Sequence, residues 1–238
     1  MPEHYKKTSL KKAKDKIAIE RIITRNKHMK FSTTQRLGGI AIILGSIFLT
    51  AWAICWTTLL PVHERARDVS LMILHPYWTW IASLALPGII LMIFGYTAVY
   101  SRLYNKAGLT GFIGYVFIML AYIFQAAKVT EEVFLYPIIV GYAPSIPLFR
   151  DRILLEHPQF ILFKWLASVT ILIGVILFCI TLIRSREFPK SAGILILCGA
   201  VIYAVGPMIN IYLAIAGVIV LSIGCFLVGY TMFFHVKE

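Results

Sequence analysis

Residues 191–234 read SAGILILCGAVIYAVGPMINIYLAIAGVIVLSIGCFLVGYTMFF, a stretch of 44 residues without a charged side chain. As one continuous helix this stretch would be about 66 Å long, whereas the hydrocarbon core of a bilayer is about 30 Å thick. Gly206 and Pro207, followed by Asn210, stand near its middle, where such residues favour a turn. The stretch therefore predicts a hairpin of two membrane-spanning helices, of which the first is the shorter.

Four further runs without Asp, Glu, Lys or Arg precede this hairpin, at 37–63, 69–101, 107–127 and 165–183. A membrane-spanning helix needs about 20 apolar residues, and each run reaches that length or falls one residue short of it. Only 14% of the 238 residues are charged, against roughly 25% in soluble proteins. The predicted fold class is all-α, a polytopic membrane bundle of about six transmembrane helices. The predicted helices, within a transmembrane domain over 37–236, cover 37–60, 78–101, 108–130, 159–183, 191–206 and 210–234.

Two features predict how these helices bend and pack. Pro87 and Gly88 fall inside the second helix and are expected to kink it there. Gly108, Gly111 and Gly114 step along the third helix, and small residues allow close approach between helices in a bilayer. The sequence therefore predicts a helix contact along this glycine stripe.

Lysine and arginine predict the orientation, because cytoplasmic loops of membrane proteins are enriched in them. With six spans, residues 1–36, 102–107, 184–190 and the C-terminus share one side, which carries 17 Lys and Arg against 6 on the other. Both termini are therefore predicted to be cytoplasmic. The prediction depends on the tail, because the two sides carry equal numbers without it.

The basic tail over 1–36 has three interpretations. Apolar residues between Ser9 and Arg25 recur at roughly helical spacing, which would suit an amphipathic helix on anionic lipid. The tail could instead be a disordered orienting segment, and Met29 could be the natural start. Nucleic acid is not an expected partner, because no recognition fold accompanies the charge.

One polar face is predicted at the outer end of the third helix. Gln125, Lys128 and Glu132 share a helix face, Glu131 is adjacent, and Lys128 and Glu132 have the i,i+4 spacing of an ion pair. Lys164, early in the fourth helix, is expected at the same membrane depth. Ionisable groups at this depth are candidates for a binding site or entrance. The alternative is that Lys128 extends to the interface and the glutamates are solvated.

Catalytic and cofactor signals are weak. His63, His75 and His157 are predicted on the outer side, where a metal-dependent hydrolase would need its ligands to converge, but their spacing does not force this. No cofactor is expected. The cysteines are interpreted as packing residues because they lie in the apolar runs without metal-binding spacing. They are Cys55, Cys179, Cys198 and Cys225.

Five short motifs are spaced along the chain: Gly95-Tyr-Thr-Ala-Val-Tyr-Ser-Arg102, Gly108-Leu-Thr-Gly-Phe-Ile-Gly114, Glu132-x-Phe134-x-x-Pro137, Ala143-Pro144 and Phe188-Pro189-Lys190. With them the sequence resembles a group of uncharacterised bacterial multi-pass membrane proteins. It is similar to the domain-of-unknown-function 4386-type family and looks like a Bacillus-type member. The resemblance covers 37–234 and implies six helices with an acidic residue and a proline after the third. It implies no activity or ligand.

Three hypotheses of function follow. The first is a non-enzymatic plasma-membrane protein with an accessory, sensory or protective role, because the helices hold almost no ionisable group. The second is a small-molecule or ion transporter that uses the polar face from Gln125 to Glu132. The third is an outer-face metal-dependent membrane hydrolase built on the histidines and nearby acids. No motif decides between them.

Overall fold

The computed structural model of the chain describes residues 33–62 and 68–234, and of Pro207 and Met208 it describes the backbone alone. Regular structure within these ranges is entirely helical, which confirms the predicted all-α class. The predictions for the tail before residue 33, and the position of His63, lie outside the described residues. Four helical stretches are long and apolar enough to cross a membrane by length and composition: Thr33–Leu59, Trp78–Gly141, Pro158–Ser185 and Ile211–Phe234.

Nine α-helices follow one another along the described chain. They are α1 (Thr33–Leu59), α2 (Val69–Ile73), α3 (Trp78–Ser83), α4 (Ala85–Thr130), α5 (Tyr136–Gly141), α6 (Ile146–Arg150), α7 (Pro158–Ser185), α8 (Lys190–Ile209) and α9 (Ile211–Phe234). A π-helical turn over Glu131–Leu135 joins α4 to α5, and a 3-10 turn over Ala143–Ser145 precedes α6.

Helix α4 is two antiparallel helices joined at Gly108, whose φ of 54° and ψ of −165° are not helical. We name residues 85–107 α4a and residues 109–130 α4b. Tyr100 of α4a stacks on Tyr115 of α4b with ring centroids 4.4 Å apart, so the two halves lie side by side. The predicted loop over 102–107 is therefore wrong, because these residues continue the helix. The chain reverses at Gly108 alone, in a backbone region that is essentially restricted to glycine.

The helix before this hairpin is interrupted, but not where the sequence predicted the kink. Helix α3 ends at Ser83 and α4 begins at Ala85. Pro87 has no N–H to donate to the carbonyl of Ser83, and its ring crowds that carbonyl. The interruption therefore falls at Leu84, about one turn before the proline.

The hairpin of α8 and α9 turns at Asn210, one of the three residues of the predicted turn, whereas Gly206 and Pro207 remain within α8, which corrects that part of the prediction. Asn210 has an extended backbone, with φ −156° and ψ 133°. Its side-chain oxygen accepts a hydrogen bond of 2.9 Å from the backbone N–H of Tyr212 and so caps the first turn of α9. Pro207 is tolerated inside the last turn of α8. The short first helix predicted over 191–206 therefore extends through Ile209.

Long segments that are consecutive along the chain run in opposite directions. Helix α1 packs on α4a in a core that contains Ile42 and Val99, and it contacts α9 where Thr50 and Ser222 hydroxyls lie 2.6 Å apart. Helix α7 packs on α4b and α8, and α8 packs on α9. A Cβ added to Gly114 would lie 2.6 Å from the backbone nitrogen of Phe178, and one added to Gly111 would lie 2.7 Å from Cγ2 of Thr181, which confirms the predicted helix contact at these two glycines. A Cβ added to Gly108 would meet no atom within 4 Å, so the contact does not extend to that glycine.

The bundle has two distinct ends. The end where α1 begins, with Gly108 and the α7–α8 connection, is here called the tail end, and the opposite end is called the cap end. Toward the tail end, buried side chains fill the interior, among them Met92, Tyr96, Leu103, Phe178 and Met232. At the cap end, α2, α3, α5 and α6 form a second core around Trp78, Tyr136 and Phe149.

Candidate functional site

The most irregular helical backbone of the cap end is the π-helical turn over Glu131–Leu135. The backbone N–H of Tyr136 donates to the carbonyl of Glu131, five residues earlier. The sequence explains this widening, because Pro137 has no N–H to donate to the carbonyl four residues before it, and its ring crowds that carbonyl. Single π-helical turns occur frequently at functional sites. This turn brings Glu132 into the protein interior.

Glu132 is a buried carboxylate with one partner. Its side chain is 9% exposed, and its Oε1 lies 3.3 Å from the Lys128 ammonium, which confirms the predicted i,i+4 pair. Its second oxygen, Oε2, is buried and has no hydrogen-bond partner among the described atoms. The interpretation of Glu132 as a solvated residue is therefore wrong. An unsatisfied buried acceptor is costly, so a native site that keeps one requires an explanation.

A row of three tryptophans adjoins the backbone of Glu132. The indole N–H of Trp78 donates to the backbone carbonyl of Glu132 over 2.8 Å. The ring centroids of Trp56 and Trp78 are 4.8 Å apart, and those of Trp52 and Trp56 are 5.7 Å apart. The Trp52 indole nitrogen is buried and also lacks a hydrogen-bond partner among the described atoms. The tryptophan row therefore connects α1 and α3 to the π-helical turn.

The charges on the chain segment that carries Glu132 do not balance. Between residues 107 and 149, Lys128 is the only basic residue, and Glu131 and Glu132 are the only acids. Burial raises the pKa of the half-buried Glu131, the nearby Glu132 raises it further, and Lys128 lowers it in part. Burial also raises the pKa of Tyr136, and the two glutamates add to that increase. With both acids ionised, this segment carries one excess negative charge.

The other predicted site residues have different surroundings. Gln125 is half-buried, one turn before Lys128 on the same helix. Lys164 is exposed, donates to the carbonyl of Leu155 over 3.1 Å and lies 5.1 Å from the ring centroid of Phe160. These contacts attach Lys164 to the segment at the start of α7.

The two described candidate histidines occupy separate turns. His75 accepts a hydrogen bond of 3.3 Å from the backbone N–H of Tyr77 through Nδ1. His157 is exposed at the N-terminus of α7. Across residues 33–62 and 68–234, no group of three or more His, Cys, Asp and Glu side chains could hold a metal ion. The described histidines and acids therefore do not converge as a hydrolytic metal centre requires.

The sequence analysis missed a buried ionic cluster at the tail end. The Glu187 carboxylate pairs with the ammonium of Lys106, and its Oε2 lies 3.8 Å from Nε of Arg102. Arg102 also donates to the Thr231 carbonyl over 3.3 Å, and its guanidinium lies 5.1 Å from the ring centroid of Phe188. The cluster joins α4a, the α7–α8 connection and α9. Its one sequence signal is that both basic residues and Glu187 are predicted on the same membrane side.

The chain matches no protein-family model, no curated protein and no solved structure. The similarity to the domain-of-unknown-function 4386-type family therefore stays a prediction, and the function has to be argued from the site itself.

Proposed function

We propose that the chain is an integral membrane protein with six spans: α1, α4a, α4b, α7, α8 and α9. Helix α4 has 46 residues, about 69 Å, and it is divided near its middle at Gly108. Helix α8 has 20 residues, which is about 30 Å. The alternating direction of consecutive long segments supports six crossings.

The proposed orientation has the tail end in the cytoplasm and the cap end outside a bacterial plasma membrane. Arg102 and Lys106 lie at the tail end of α4a, and Arg184, Arg186 and Lys190 surround the α7–α8 connection. With the basic residues of the tail, they follow the enrichment of cytoplasmic segments in Lys and Arg. The same assignment puts the Lys128–Glu132 pair, with its buried carboxylate, at the outer end of the bundle.

The proposed role is ligand binding without catalysis, in an accessory or sensory component of the membrane. The observation that carries it is Glu132, a buried acid with one oxygen on Lys128 and the other without a partner. A buried polar group is normally satisfied, so an unsatisfied one calls for an explanation, and a functional role is one such explanation. A ligand that supplies the missing hydrogen bond would remove the cost of leaving Oε2 unsatisfied.

The surroundings of Glu132 support a sensory role because they connect it to several elements. The backbone carbonyl of Glu132 accepts a hydrogen bond from Trp78 at the start of α3. The next residue, Val133, packs with Ala85 and Ile89 of α4a. Tyr136, at the end of the π-helical turn, packs with α2 and α6. A ligand on the carboxylate would therefore act on the whole cap. Ligand binding to Glu132 would stabilise the conformation of the cap that binds the ligand more tightly.

Transport through the same polar face is the second candidate. The interior toward the tail end is filled by buried side chains, among them Tyr96 and Phe178. A transport cycle would therefore have to open that core, whereas binding at the cap end does not require this. Uptake into proteoliposomes that depends on Glu132 would favour transport over sensing.

The test is a ligand panel on the purified full-length protein in detergent. The panel contains amines, carboxylates, sugars and divalent cations, and the readout is the unfolding temperature. We expect at least one class to stabilise the wild type and to lose this effect in Glu132→Gln. Glu156→Gln is the matched control, because Glu156 forms an exposed i,i+4 pair with Arg152. A panel in which Glu132→Gln responds like the wild type throughout would contradict the proposed site.

A further inference from the structure

The unsatisfied atom at the cap end restricts the chemistry of its ligand. Oε2 of Glu132 is an acceptor, so the ligand must supply an N–H or O–H donor. Donors that carry a positive charge make the strongest bonds to a carboxylate. The excess negative charge of Lys128, Glu131 and Glu132 leaves room for one further cation. A cationic donor therefore suits Oε2 better than a neutral one.

Metal ions fit this site poorly. Calcium takes 6–8 oxygen ligands, and magnesium requires near-ideal octahedral geometry. Over the described part of the chain, no group of three or more metal-binding side chains includes Glu132. A single buried carboxylate with one free oxygen suits a hydrogen-bonded organic cation better.

The aromatic surroundings also favour an organic cation. Trp78 contacts the Glu132 backbone directly, and its ring packs at a tilt of 52° on Trp56, so an apolar and π-rich row adjoins the backbone of this residue. The face of an indole ring attracts a cation, and its area covers the carbon atoms attached to the charged nitrogen. The Lys128 side chain is 31% exposed, so a ligand would reach the buried Oε2 of Glu132 from the solvent-facing side of this lysine.

We propose that Glu132 and the adjoining tryptophans bind a primary ammonium group at the outer membrane surface. The proposal rests on the proposed function, since it names the ligand class of that same site. The ligand ammonium donates to Oε2 of Glu132, while Lys128 keeps Oε1. A quaternary ammonium ion has no N–H to donate and is therefore a poor ligand. The ammonium group comes from a soluble amine or from the ethanolamine headgroup of a phospholipid.

The first experiment measures soluble amines. Tryptophan fluorescence of the full-length protein in detergent is titrated with methylammonium and with tetramethylammonium at constant ionic strength. We expect saturable binding of methylammonium, with at least tenfold weaker binding of tetramethylammonium. Glu132→Gln should weaken methylammonium binding at least tenfold, and Glu156→Gln should leave it unchanged. The comparison of the two cations uses the wild type alone, so it remains decisive even if Glu132→Gln fails to fold.

The second experiment tests the lipid source. The wild type is placed in nanodiscs of phosphatidylethanolamine or phosphatidylglycerol, and its unfolding temperature is compared between them. A stabilisation by phosphatidylethanolamine that is lost in Glu132→Gln and kept in Glu156→Gln assigns the ammonium to the lipid. Methylammonium binding without that lipid effect assigns it to a soluble amine.

The proposal is overturned if neither arm gives a response that depends on Glu132, or if tetramethylammonium binds as tightly as methylammonium. These failures differ from failure of the proposed function. The ligand panel can instead find a sugar, a carboxylate or a divalent cation that stabilises the wild type but not Glu132→Gln, while amines have no effect on either. In that case the binding site stands and the ammonium assignment is wrong.

Discussion

Replacing Glu187 by glutamine removes the only carboxylate of the tail-end cluster while keeping its shape. Glu187 and Arg102 have side chains that are 7% and 6% exposed, and Glu187 also pairs with Lys106. The substitution leaves the buried guanidinium of Arg102 without its ionic partner. We expect it to lower the free energy of unfolding and to loosen the junction of α4a, α7 and α9.

The magnitude follows from the geometry. Two unit charges 3.8 Å apart attract each other by about 4 kcal/mol at an effective dielectric constant of about 20. Breaking a buried pair by removing one partner costs about 3–5 kcal/mol. The Lys106 side chain is 49% exposed, so the Lys106–Glu187 pair contributes less than about 1 kcal/mol to the free energy of unfolding. Arg102 keeps the Thr231 carbonyl and the Phe188 ring, which places the expected loss near the lower end, about 3 kcal/mol.

The assay is reversible unfolding of the purified protein in mixed micelles by titration with a denaturing detergent. Glu156→Gln breaks an exposed pair with Arg152 and should cost less than about 1 kcal/mol. Arg102→Gln combined with Glu187→Gln should cost less than the two single losses together, because no buried charge is then left unpaired. A loss for Glu187→Gln equal to that of the control, or additive losses in the double variant, would refute the assigned ion pair.

Three further predictions use the same unfolding assay. Gly108→Ala forces a residue with a Cβ to adopt a φ of 54° and should cost about 1–3 kcal/mol of unfolding free energy. Gly141→Ala is the control and should cost less, because the added Cβ meets no atom within 4 Å. Equal losses in the two variants would contradict the assigned turn. Trp78→Phe removes the donor to the Glu132 carbonyl and should cost about 1–3 kcal/mol; an unchanged stability would show that this bond contributes nothing. Asn210→Ala removes the cap of α9 and should cost about 0.5–2 kcal/mol, and no loss would argue against capping.

Much of the fold could be predicted because long uncharged runs leave few alternatives to helices. The positions of the turns were less predictable. The apolar pattern is helical on both sides of Gly108, so only its backbone conformation reveals that the chain reverses there. Similarly, Gly206, Pro207 and Asn210 were the predicted turn residues, yet α8 continues through Gly206 and Pro207, and Asn210 alone of the three leaves the helix.

The candidate site was predictable in part. The i,i+4 spacing of Lys128 and Glu132 predicted their ion pair, because that contact is local. The burial of Glu132 depends on Trp78, 54 residues away, and no local pattern specifies that contact. The same holds for Arg102 and Glu187, which are brought together by the packing of α4a against α7. Sequence alone therefore indicated the residues at the polar face but not which of them is buried.

The six-span arrangement is tested most directly by two single cysteines in a background that lacks the native ones. Asn105 lies next to the turn at Gly108 and Asn210 forms the turn between α8 and α9, and both are exposed. The background removes Cys55, Cys179, Cys198 and Cys225. With a membrane-impermeant maleimide, we expect Asn105→Cys to react only in inside-out vesicles and Asn210→Cys only in right-side-out vesicles. If Asn105→Cys is protected from both sides, or if both positions react from the same side, the six-span arrangement is wrong.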